Sequence, residues 1–151
     1  MIGWLLDTNV TSEMARADGD ARVVAWAEAQ DEERLYISIL TLGAYDKGVN
    51  ALPPDAPARA RIEASVAALE ARFASRIVSL SDSIVRRWGR ISGAVRLATG
   101  LTPPVIDTLL AATAIEHDVY LATRNVKDVR DTGAAVFNPW HDDPAAFPLA
   151  R

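Results

Sequence analysis

The chain has 151 residues, half of them apolar and 24% charged, with a net charge of −4 and no cysteine. That balance fits one domain with a real core and excludes disorder, disulfides and thiolate metal sites. An acidic chain is also a poor stand-alone binder of nucleic-acid phosphates, and no apolar run approaches the roughly 18 residues of a membrane span.

The N-terminus has no basic start of the secretory kind, and Asp7 interrupts its apolar stretch, so a cytoplasmic location is expected. Residues 2–6 read as a short buried strand that ends at Asp7. A helix is expected over 8–16, broken at Asp18-Gly19-Asp20, and another over 21–30 with Val23, Val24, Trp26 and Ala27 buried. Residues 35–38 are the second strand, and the helical pattern from 41 to 50 stops at Pro53-Pro54. A helix over 57–75 carries Ile62, Val66, Leu69 and Phe73 on one face.

Residues 77–80 read as the third strand, and Ser81 caps a helix over 82–98 whose buried stripe is Ile84, Val85, Trp88, Ile91 and Val95. After Gly100 an apolar helix is expected with Thr102 as its cap and Pro103 in its first position. Residues 119–122 form the fourth strand, and 136–137 are a candidate fifth before a tail from about 138 that packs on a single domain spanning 1–151. Short apolar strands alternating with helices predict a three-layer α/β fold with a mainly parallel central sheet of four or five strands. Ligands of such sheets bind outside the carboxyl ends of the strands.

Four polar residues sit near those ends. Asp7 follows the first strand, where it is either a helix cap or part of a site. Asp107 lies in a helix that is apolar nearly all round, and a carboxylate facing such an interior is costly unless a cation or donors meet it. Asn125 and Asp128 follow the fourth strand, as ordinary loop polars or as further members of the same cluster. Carboxylates converging from distant segments are how proteins hold Mg²⁺ or Mn²⁺ for phosphodiester chemistry. His117 and His141 are isolated and make no case for zinc, and there is no phosphate-binding glycine loop or nucleophile elbow.

The segments Leu5-Leu6-Asp7-Thr8-Asn9-Val10, Ser38-Ile39-Leu40-Thr41-Leu42-Gly43, Val105-Ile106-Asp107-Thr108-Leu109-Leu110-Ala111-Ala112 and Leu121-Ala122-Thr123-Arg124-Asn125-Val126-Lys127-Asp128 occur in this order. Together with the Phe137-Asn138-Pro139-Trp140 ending, they resemble PIN-domain proteins of the VapC type, the ribonuclease half of bacterial VapBC toxin–antitoxin pairs. The resemblance implies an Mg²⁺- or Mn²⁺-dependent endoribonuclease with Asp7 and Asp107 as metal ligands. Asn125 or Asp128 would complete the catalytic set, directly or through water. It places Thr8 and Asn9 to orient ligands or the scissile phosphate, while the basic residues Lys47, Arg86, Arg87, Arg90, Arg96 and Arg124 are either candidates to meet RNA or ordinary solvated helix faces and turns. It also implies tRNA or rRNA as substrate, a VapB-type antitoxin laid across the active-site groove, and a homodimer that enters a larger complex.

One position departs from the family pattern. Where the helix after the second strand should carry Glu, this chain has Ala44. Asp46 is no substitute, because two residues turn a helix by about 200°. Losing one of three or four carboxylates should weaken metal binding and activity. The exchange fits a change made to disable a toxic enzyme as well as a natural variant. The rival function is a PIN-fold module that binds RNA or protein without catalysis. An aspartyl phosphatase would need a second Asp at position 9, which is Asn9, and a receiver would need Asp at the end of the third strand, where Leu80-Ser81 stand.

Overall fold

A computed structural model describes all residues from Met1 to Arg151. The chain runs β1 (Trp4–Leu6), α1 (Thr8–Ala15), α2 (Ala21–Glu28), β2 (Leu35–Ser38), α3 (Ile39–Asn50), α4 (Pro57–Phe73), β3 (Ile77–Val78), α5 (Asp82–Thr99), α6 (Val105–Glu116), β4 (Tyr120–Ala122), α7 (Val126–Val129) and β5 (Val136–Phe137). The five strands form one sheet in the order β3-β2-β1-β4-β5, and every pairing is parallel. No helix is long and apolar enough to cross a membrane.

All three residues of β1 are buried, as expected of a central parallel strand covered on both faces. Trp4 and Leu6 point into one core with Val10, Val23, Trp26, Ile37 and Phe73. Leu5 points into the other with Leu110, Ala111, Ala114 and Leu121. These two cores separate the three layers. Gly3 is required just before β1, because a Cβ there would stand 2.4 Å from the Arg34 carbonyl oxygen. The chain moves outward from β1 through β2 to β3, then crosses back to place β4 on the other side of β1. That reversal puts the switch-point crevice beyond the ends of β1 and β4.

The tail is packed in place. Phe147 stacks 4.9 Å from Phe137, which is itself 4.8 Å from Trp4. The Ala150 N–H donates to the Met1 carbonyl at 2.8 Å.

Several elements differ from the sequence reading. Strand three is shorter than 77–80, and α4 ends at Phe73 before a tight turn over 74–76. In α5, Ile84 and Val95 are buried, but Val85 is 43% exposed, because that helix packs chiefly against α6 and uses a narrow face. Helix α6 begins at Val105, not around Pro103. Pro104 disfavours helical backbone at Pro103, so the helix cannot start there. Its first residues are not interior either: Val105 and Ile106 are each 51% exposed.

A polar clasp holds β2 to the end of α4. The buried Arg76 guanidinium donates to the carbonyls of Glu32, Leu35 and Arg72 at 2.7 Å each. Its partner Glu32 also accepts two bonds from Arg72, at 2.8 and 2.9 Å. The Arg72 hydrogen bond, helped by Arg76, lowers the Glu32 carboxyl from its ordinary 4.5 to about 2. A lowered folded-state value means the clasp stabilises above about pH 4.5 and loses that contribution as pH falls through about 2. Arg72→Ala should therefore flatten acid unfolding between these values and cost about 0.5–1 kcal/mol at neutral pH, since the pair is half exposed. Urea titrations of both proteins across that pH range check it. Parallel curves for the two would contradict it.

Candidate active site

Asp7 is the first residue after β1 and the cap of α1, and it is only 7% exposed. Burying a carboxylate so close to a sheet needs donors, and three are present. Its Oδ1 accepts the Thr8 backbone N–H at 2.7 Å. Its Oδ2 accepts the Thr123 hydroxyl at 2.7 Å and the Asn9 amide at 3.1 Å. Charge-assisted bonds of this kind hold a carboxylate in one orientation with its remaining lone pairs outward. Asn9 in turn accepts the Arg124 backbone N–H at 3.3 Å, and Thr123 accepts that of Asn125 at 3.0 Å. The turn after β4 is thereby fastened to the turn after β1.

Thr123 is a member of this site that its own sequence context does not reveal. Read alone it is a polar residue in a turn, yet it is 1% exposed. Its role follows from register: Leu6 pairs with Ala122, so the next residues, Asp7 and Thr123, stand side by side. Thr123→Val keeps the shape and removes the donor. It should lower stability by about 1.5–3 kcal/mol, the usual loss for a hydrogen bond to a charged group. Thermal unfolding checks this, and an unchanged midpoint would contradict it.

Asp107 approaches from α6, where it is in the first helical turn and half-buried. The late start of the helix matters here, because the helix dipole favours an anion in that turn. It does not lie deep in an apolar interior, as its neighbours in sequence had suggested. Burial still holds its carboxyl above the ordinary range, and the charges of Asp7 and Asp128 push the same way, while the Asn125 side chain opposes them. Asp7, Asp107, Asn125 and Asp128 therefore share one electrostatic neighbourhood. Asn125 and Asp128 stand at the cap position and in the first turn of the short helix α7, with no side-chain cap bond at Asn125.

The other sequence candidates are more dispersed. Thr8 and Asn9 are half-buried beside Asp7. Arg124 is exposed, with its guanidinium 5.2 Å over the Trp140 ring. Lys47 is exposed in the last turn of α3. Of the α5 arginines, Arg87 pairs with Glu116 and Arg96 with the Thr102 hydroxyl, which leaves Arg86 and Arg90 on the solvent side.

Helix α3, which carries position 44, starts at the end of β2 beside β1. Ser38 at the end of β2 caps the helix by accepting the Leu40 N–H at 3.1 Å. Tyr45 then fixes α3 to α1. Thr11 donates its hydroxyl hydrogen to the Thr8 carbonyl, so Tyr45 must donate to Thr11 at 2.9 Å and accept from Ser12 at 3.0 Å. Ala44 itself is exposed. One turn earlier the Thr41 hydroxyl is buried without any partner. No three acidic or histidine side chains close on a point where a metal ion could sit. The donor set nonetheless suits a hard divalent cation, which needs one or two carboxylates and completes its shell with water. The carboxylates repel one another here with no basic side chain bonded to any of them, which is the imbalance such a cation would relieve.

Comparisons with known proteins show the family to which this fold belongs. Residues 4–133 match the model of the PIN domain family. The chain is 34% identical to toxin FitB of Neisseria gonorrhoeae over 141 residues, covering 91% of this chain and 99% of that protein. It is 32% identical to a VapC ribonuclease of Sinorhizobium fredii over 139 residues, covering 90% and 96%. A solved FitAB complex bound to a DNA fragment matches with a TM-score of 0.82 at 31% identity, covering 93% of this chain and 97% of that one. On the strength of its fold and these relatives, the chain belongs to the PIN domain family and to the VapC and FitB toxin type within it.

Proposed function

We propose that this chain is the toxin of a toxin–antitoxin pair and that its site is built to hydrolyse RNA with Mg²⁺ or Mn²⁺. The observation that carries the reading is Asp7, locked by three donors at the sheet's switch point, with its charge and that of Asp128 both acting on Asp107. Asp7 and Asp107 would hold the cation, with Asn125 or Asp128 completing the set directly or through water. A bound cation would acidify a water for attack on the phosphodiester and offset charge on the phosphate. Thr8 and Asn9 keep Asp7 oriented, and Lys47 and Arg124 are the exposed cations that would meet the RNA backbone. Structured RNAs such as tRNA or rRNA are the expected substrates.

An antitoxin laid across the active-site groove would have the neighbouring cleft of about 590 Å³ between α1 and α4 available to it, lined by Ala15, Ile62 and Leu69 and reaching Ser12 and Tyr45. An arginine of that partner reaching the carboxylates would neutralise the same charge as the cation. FitB's appearance in a FitAB complex and the naming of a relative as a VapC ribonuclease support this reading. Ala44 favours a second reading, a binding module without catalysis. It predicts that RNA is retained uncut even when Glu stands at 44.

Induced expression in bacteria separates the two. The Ala44→Glu chain should arrest growth, co-expression of the antitoxin should restore it, and the Ala44 chain should be tolerated. Normal growth with abundant, folded Ala44→Glu protein would favour the binding module.

A further inference from the structure

Arg124 follows Thr123, the donor to Asp7, and its own backbone N–H donates to Asn9, whose amide also bonds Asp7. Hydrogen bonds thus tie this residue to the carboxylate site. Its side chain reaches toward β5, on the side of β4 away from β1. Ala122 pairs with Phe137, so Trp140 follows the end of β5 at the same sheet edge, and the Arg124 guanidinium lies 5.2 Å over its ring. That guanidinium is exposed, and it forms no hydrogen bond or ion pair within the chain. Every one of its N–H donors is open.

The turn that carries Trp140 does not depend on Arg124 for its place. The Asn138 side chain accepts the Trp140 N–H at 3.0 Å, and the Asn138 N–H donates to Asp142 at 2.7 Å. Arg22 donates to the His141 and Asp142 carbonyls at 2.9 Å each. A fixed ring therefore holds a long side chain, and not the reverse. An arginine lying on an aromatic face keeps the edge of its fork free, and that fork matches the paired oxygens of a phosphate. We propose that Trp140 is a positioning residue: it sets Arg124 so that the free edge takes one RNA phosphate flanking the bond to be cut. The ends of β1 and β5 are two strand spacings apart, about 10 Å, which puts this fork beside the carboxylate site and not on the reacting phosphate. The inference rests on the nuclease reading and deepens it, because Trp140 acts only through Arg124.

The Ala44 chain, which should bind RNA without cutting, serves for the test. Fluorescence anisotropy follows its binding to labelled RNA stem–loops that carry one uncharged methylphosphonate at a time. Trp140→Leu should weaken binding by about two- to fivefold, the scale of a released cation–π contact, and Trp140→Phe should keep most of the affinity. Arg124→Ala should lower the slope of log affinity against log salt by about 0.7–0.9, the share of one phosphate, and Trp140→Leu should then add nothing further. One methylphosphonate position should cost affinity in the parent chain and none in Arg124→Ala. A Trp140→Leu loss that persists in full without Arg124 marks a merely structural tail and overturns the positioning role. Parental binding by Trp140→Leu, or a methylphosphonate scan that is the same with and without Arg124, also overturns it. If the Ala44→Glu chain still cleaves RNA in that case, the nuclease reading survives. A folded chain that neither binds nor cleaves RNA overturns both.

Discussion

Ala44→Glu should raise Mg²⁺-dependent cleavage of a tRNA and rRNA pool by about a hundredfold or more, the scale on which single groups that stabilise developing charge act. The structure gives three reasons to expect the change to act on chemistry and not on folding. Position 44 is exposed, so a longer side chain displaces nothing. Helix α3 is already fixed by the Ser38 cap and by the Tyr45 bonds to Thr11 and Ser12, so a new carboxylate would project from a rigid element. The buried Thr41 hydroxyl, one turn away, is a donor without an acceptor. Residues three apart on a helix are neighbours, so that donor is available to orient Glu. Cleavage would be read on gels with and without EDTA. Equal cleavage by both proteins would show that position 44 takes no part.

Asp7→Ala in the Ala44→Glu background should remove that activity, again by a factor of about a hundred or more. Asp7 is the acceptor for Thr8, Asn9 and Thr123 together, so removing it takes away a proposed metal ligand and also loosens the two turns that form the crevice. Asp7→Asn separates these effects. It keeps the size of the side chain and removes its charge, so it should retain more stability than Asp7→Ala while losing comparable activity. Single-turnover rates and thermal midpoints on the same preparations provide the comparison. Full activity in Asp7→Asn would contradict a role as metal ligand.

Much of this was legible in the sequence because parallel α/β sheets concentrate function at strand ends. Leu5-Leu6-Asp7 announces both a buried strand and the residue that leaves it, and Ser38 and Ser81 announce helix starts that the structure shows. Local signals failed where a neighbour overrode them. The Pro103-Pro104 pair moved the start of α6 to Val105 and so brought Asp107 into the first turn, half-buried, where an apolar sequence context had implied the interior. Val85 satisfies the helical period of α5 but lies beyond the face that α6 covers. Thr123 could not be found locally at all, because its partner Asp7 is 116 residues away and only the β1–β4 register brings them together. Helix α7, four residues long, is too short to carry a periodic signal.

We propose that Asp7 and Asp107 hold one divalent cation whose site a carboxylate at position 44 completes. Calorimetric titration of Mn²⁺ into the Ala44→Glu chain, and into the same chain with Asp107→Asn, tests it without any RNA. Binding should be saturable, weaken by about tenfold or more when Asp107 loses its charge, and weaken similarly when position 44 is returned to Ala. Identical titrations for all three proteins would contradict it.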